Sequence, residues 1–105
     1  MNTIITTRHC EIPETLKERA EAISERLGQF ASRAVECTVL FETDHQRAIC
    51  EVRLHVAGGK RGKVLIAQAE GVDHRTALDR AEVKLRNQLD KPPRRSRPRV
   101  KADQA

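Results

Sequence analysis

Apolar positions along this chain recur with two different periods, and the switches between them predict six elements. Thr3 to Thr7 is rich in β-branched residues and reads as a first strand. Leu16, Ala20, Ile23, Leu27 and Phe30 then recur at i, i+4, i+7, i+11 and i+14, the stripe of an amphipathic helix ending near Ala31. Pro13 suits its first turn, where the missing amide donor would be unpaired anyway, and Glu14 and Glu18 stand near the positive end of its dipole. From Val35 to Glu42 the pattern changes to strict alternation, with Val35, Cys37, Val39 and Phe41 on one face. Thr43-Asp44-His45-Gln46 makes a turn. Alternation resumes from Ala48 to Val56, with Ala48, Cys50, Val52, Leu54 and Val56 inward and Glu51, Arg53 and His55 outward.

Gly58-Gly59-Lys60-Arg61-Gly62-Lys63 is a glycine-rich hairpin tip with three positive charges, and Val64 to Glu70 is a fourth strand with Leu65, Ala67 and Ala69 inward. Gly71 breaks it, and Asp73 can cap a final helix running to Lys91. On that helix Ala77, Leu78, Ala81, Leu85 and Leu89 form an apolar stripe, and Arg80, Lys84, Asn87 and Lys91 form a polar, mostly cationic one beside it. Pro92-Pro93 stops it. The order is β-α-β-β-β-α. Two one-sided helices and a one-sided sheet predict an α+β fold of two layers, a four-stranded sheet with both helices on one face.

The chain's 105 residues suit one compact domain, expected over 1–91, with a basic flexible tail at 92–105. Locating the net charge of +5 changes the picture: residues 1–90 hold 14 Lys/Arg and 14 Asp/Glu, whereas 91–105 hold six Lys/Arg and one Asp, and 6 − 1 = +5. A neutral body with a cationic end points to a polyanionic partner, against the plainer reading of a solvated terminus. The two Phe and the absence of Trp and Tyr argue against base stacking as a recognition mode. No apolar run is long enough for a membrane span, the first residues lack a signal-peptide profile, and three cysteines without a CxxC pair suit a reducing cytoplasm.

Candidate chemistry scatters. His9 and Cys10 are adjacent on an extended chain and point to opposite faces. Cys37 and Cys50 occupy inward strand positions, where a thiol acts as a small hydrophobe, and His45, His55 and His74 fall on a turn, an outward strand face and a helix start. The glycine-rich hairpin joins two strands and lacks a Gly-Lys-Ser/Thr ending, so it is a weak match to a nucleotide loop; a basic hairpin touching a nucleic-acid backbone and a solvated turn are the better readings. Asp79 and Glu82, at i, i+3 among Arg75 and Arg86, are expected to stabilise an exposed helix face rather than act as paired acids. The expectation is a protein that is not an enzyme and has no cofactor, no metal, no small-molecule substrate and no membrane.

Several groups of residues together carry a family pattern: Ile5-Thr6 with Cys10-Glu11-Ile12 and Leu16; Leu27 with Arg33; Leu54-His55-Val56-Ala57-Gly58-Gly59; Ala67-Gln68-Ala69-Glu70-Gly71 with Ala77-Leu78-Asp79; and Lys84 to Lys91. They resemble the ribosome hibernation promoting factor family, which includes ribosome-associated inhibitor A and was once called the sigma-54 modulation proteins. The resemblance implies a fold like that of double-stranded-RNA-binding domains. It also implies docking on the small ribosomal subunit, against ribosomal RNA, where messenger and transfer RNA would sit in stationary or stressed cells. Basic positions of the family's helices correspond to Arg26 and Arg33 in the first and to Lys84 and Lys91 in the last. The charge pattern itself adds Arg80, Arg94, Arg95 and Arg97. The chain departs from the family at Ile23-Ser24-Glu25, where many relatives are more basic, and in a longer, more cationic hairpin after Gly59. Ending near Ala105, it resembles the short forms, which lack the large dimerising domain, and is expected to be a monomer off the ribosome. The alternative is an adaptor module that docks a protein through the exposed sheet face at Leu40, Ile49 and Arg53.

Overall fold

In the computed structural model, which describes residues 1–31, 33–58 and 62–90, the elements follow the expected order. They are β1 (Asn2–Arg8), α1 (Glu14–Phe30), β2 (Ala34–Asp44), β3 (Arg47–Val56), β4 (Lys63–Gly71) and α2 (His74–Asp90). The strands lie in the order β1-β2-β3-β4. β1 runs parallel to β2, with α1 as the crossover, and the other two pairings are antiparallel. The sheet is therefore mixed, with β1 and β4 at its edges.

One face of the sheet meets both helices. Cys37, Val39 and Phe41 from β2, Cys50, Val52 and Leu54 from β3, and Ala67 and Ala69 from β4 are buried under Leu16, Ala20, Ile23 and Leu27 of α1 and Ala77, Leu78, Ala81 and Leu85 of α2. The small residues of β4 let α2 lie close. Gly71 takes this furthest: a Cβ there would sit 2.8 Å from the Ala77 amide nitrogen, so the strand can end against the first turn of α2 only with glycine. Burial pushes the Cys37 thiol above its ordinary range and, with Cys37 and Glu51 adding to the effect, the Cys50 thiol up to about 12. Both thiols are core atoms.

Besides Phe30, which the stripe places inward but which is 50% exposed at the end of α1, four local features differ from the sequence pattern, each for a physical reason. Val35, expected inward, is 52% exposed because the β2–β3 register shifts between Ala34 and Glu36, which takes it out of the alternation. Pro13 stands just outside α1, with extended backbone (ψ 159°), and its carbonyl accepts from the Leu16 and Lys17 amides. The β2–β3 turn is shorter than Thr43–Gln46: Asp44 pairs with Arg47, and His45 and Gln46 take positive φ of 51° and 65° without any glycine. Ile49, proposed as an anchor on the exposed sheet face, is only 9% exposed. Asp73 caps α2 as expected, its carboxylate accepting from the Thr76 amide at 2.7 Å, which holds its pKa below the usual carboxylate range.

Candidate nucleic-acid interface

Helix α2 presents two flanks, and each meets a different neighbour. The flank toward α1 carries Asp79, Glu82 and Arg86. Asp79 pairs with Arg19 at 3.0 Å, and one Glu82 oxygen accepts from both Nε and Nη2 of Arg26 at 3.1 and 2.9 Å. Glu82 is nearly buried, so its charge needs this guanidinium. The two acids expected to stabilise an exposed face instead clamp the helices together. Arg86 completes this flank by lying over the Phe30 ring, 4.7 Å from its centroid.

The other flank overlooks the outer edge of β4. Arg80 donates to the Glu70 carbonyl at 3.0 Å, Lys84 to the Gln68 carbonyl at 2.8 Å and Gln88 to the Ile66 carbonyl at 2.9 Å. The spacing explains the match: four residues of helix rise about 6 Å and two residues of strand about 6.7 Å. Every fourth residue of α2 therefore meets every second carbonyl of β4 running the opposite way. Such side chains also cover an edge that would otherwise offer unpaired acceptors. Carbonyls carry no net charge, so Arg80 and Lys84 keep theirs. They line a shallow groove of ≈ 570 Å³ with Glu70, Thr76, Asp79 and Val83.

The two ends of the molecule differ as well. Ala34, Val56 and Lys63 are register neighbours, and the Ala57 amide donates to the Arg33 carbonyl. The starts of β2 and β4 and the ends of β3, α1 and α2 therefore share one end of the domain, which carries Arg33, Lys63 and Arg86 along with Glu36. The opposite end mixes Arg8, Arg47 and Arg75 with Glu11, Glu14, Asp44, Glu70 and Asp73.

The expected RNA-binding residues thus part company. Arg80 and Lys84 form the β4-edge row. Arg33 is exposed in the connector after α1, not on the helix, with its guanidinium against Gly58. Arg26 is held by Glu82 on the other flank. Lys91, Arg94, Arg95 and Arg97, like the boundary expected between 91 and 92 and the hairpin's Lys60 and Arg61, lie outside the described residues. Lys63 belongs to the basic hairpin that the sequence marks, whereas Arg86 joins this end only through packing against Phe30. The departure at Ile23-Ser24-Glu25 reduces to one residue, because Ile23 and Ser24 are buried and Ser24 shares a 2.8 Å hydrogen bond with Thr3. The exposed side of α1 carries Glu14, Glu18, Glu21 and Glu25 against Lys17 and the half-exposed Arg26.

Among the described residues no group of three or more His, Cys, Asp or Glu could hold a metal ion, and no helix is long and apolar enough to cross a membrane. His74 has a structural task. Its Nε2 donates to the Glu42 carbonyl at 3.0 Å and its ring meets Phe41 edge-on, which fastens the start of α2 to the end of β2.

Comparison with known proteins places this arrangement. The family model described as sigma 54 modulation protein / S30EA ribosomal protein matches residues 3–97. Among solved structures, a ribosomal subunit interface protein from Coxiella burnetii is 22% identical, with a TM-score of 0.72 over 85% of this chain and 93% of that one. The N-terminal domain of Thermus thermophilus Protein Y is 23% identical, with a TM-score of 0.70 over 85% of this chain and 96% of that one. No curated protein matches the chain. At these identities the two structures establish a shared fold, while the family pattern runs through nearly the whole sequence. The chain therefore belongs to the sigma 54 modulation protein / S30EA ribosomal protein family.

Proposed function

We propose that this protein is a ribosome-associated translation inhibitor, a hibernation factor that occupies the decoding region of the small subunit and excludes messenger and transfer RNA in stationary phase or stress. Besides the family, one observation carries the reading: Arg80 and Lys84 stand in a row on neutral carbonyl partners, so their charge is available to phosphates. The cationic end supplies Arg33 and Lys63, and the basic residues from Lys91 onward extend the same charge in sequence. Inhibition is steric. No bond is broken, no cofactor takes part, and the protein acts as a monomer in the cytoplasm, where ribosomes are.

The adaptor reading has less support, since Ile49 is buried and Arg53 is paired with Glu51. Sedimentation of stationary-phase lysate through sucrose gradients separates the two. A hibernation factor travels with ribosomal particles and leaves them as salt rises; an adaptor stays at the top. If about five phosphates are neutralised, affinity falls with salt at a log–log slope of roughly −3.5 to −4.5. A slope near zero rules the electrostatic reading out.

A further inference from the structure

The chain has two phenylalanines, and the fold treats them in opposite ways. Phe41 is fully buried in the core against His74. Phe30, the last residue of α1, is 50% exposed, although the core beneath is already closed by Leu27 and Ala31. The ring is held in place by Arg86, whose guanidinium lies over it at 4.7 Å. It stands at the cationic end, three residues before Arg33.

We propose that Phe30 and Arg86 form a stacking platform for an unpaired RNA base, with Arg33 and Lys63 taking the adjoining phosphates. The proposal rests on the RNA-binding reading above and adds a mode of contact to it. Every base has a π face, so an aromatic ring or a planar guanidinium can receive one without choosing a sequence. The cation–π contact fixes the orientation of the ring before any base arrives, so less freedom is lost on binding. Neighbouring cations draw in the backbone that carries the base. Composition alone argues against stacking, yet one aromatic is enough when it is exposed, backed by a cation and set among positive charges.

The test uses a single-stranded oligoribonucleotide about ten nucleotides long, within the usual footprint of such surfaces, and an abasic strand with the same phosphates. Wild-type protein should bind the strand with bases more tightly, on the order of tenfold. Phe30→Leu should bind both strands equally and keep the wild-type salt slope. Because the chain has no Trp and no Tyr, Phe30→Trp introduces a sole indole fluorophore, which the strand with bases should quench and the abasic strand should not. Equal affinity of the wild type for both strands, a base preference that survives in Phe30→Leu, or an indole indifferent to bases overturns the platform alone. Binding without any salt slope overturns the RNA-binding reading instead.

Discussion

The two flanks of α2 carry similar cations near them and treat those cations differently. Toward α1, Arg19 and Arg26 face carboxylates of α2, and each pair is neutral. Toward β4, Arg80 and Lys84 face carbonyl oxygens, and the flank stays positive. Both arrangements satisfy hydrogen-bond donors, but only the second leaves a net field in the solvent. The first contributes to holding the helices together; the second covers a sheet edge and remains available to a polyanion. An arginine at a family-type basic position, such as Arg26, is therefore not equivalent to one at Arg80.

The largest effect should come from reversing the open flank. Arg80→Glu with Lys84→Glu should weaken ribosome binding about 100-fold, taking roughly 1.5 kcal/mol for each charge-assisted contact. The variant should melt somewhat lower, because the Glu70 and Gln68 carbonyls lose their donors, and should still be folded at the temperature of the binding assay. Unchanged co-sedimentation would mean that this flank does not face RNA. Next is Arg26→Ala, which strands the nearly buried Glu82 and should cost about 2 kcal/mol in urea denaturation, below the range for a fully buried broken pair because Arg26 is half in water. Ribosome affinity should hold; a loss of affinity at full stability would move Arg26 to the RNA side.

A smaller effect is expected at Arg19 and Asp79, both more than one-third exposed. A double-mutant cycle to alanine should give a coupling of only about 0.2–1 kcal/mol. A coupling as large as that of Arg26 with Glu82 would show that burial does not set the difference. The smallest concerns the shared start of both flanks. Asp73 has a lowered pKa in the fold, so its cap contributes above the ordinary carboxylate range and is lost as pH falls through the folded value. The melting temperature of the wild type should exceed that of Asp73→Ala at pH 7, and the gap should close in acid. A gap that persists at low pH would show that the charge on the cap is irrelevant.

Much of the frame is legible in the sequence because side-chain periodicity and secondary structure share a period. The alternation from Cys37 to Phe41 and from Ala48 to Val56, and the stripes from Leu16 to Leu27 and from Ala77 to Leu85, each name a buried face directly. Val35 escapes because a register shift leaves no mark in the local pattern. The tight turn at His45 and Gln46 escapes because neither residue is the glycine or asparagine that positive φ favours.

The site is legible only in part. Arg80 and Lys84 share a helical stripe and can be found by spacing, but that Arg26 would be neutralised, and that Arg86 would lie over Phe30, cannot. By itself the sequence determined the order of the elements, most of their buried faces and the location of the excess charge, because these follow from neighbours along one chain, and one-sided elements in turn imply two layers. Only the tertiary structure decided which cations meet carboxylates, which meet carbonyls and which aromatic stays in water. Those choices join residues as far apart as Arg26 and Glu82 or Phe30 and Arg86, and such meetings depend on how whole elements pack.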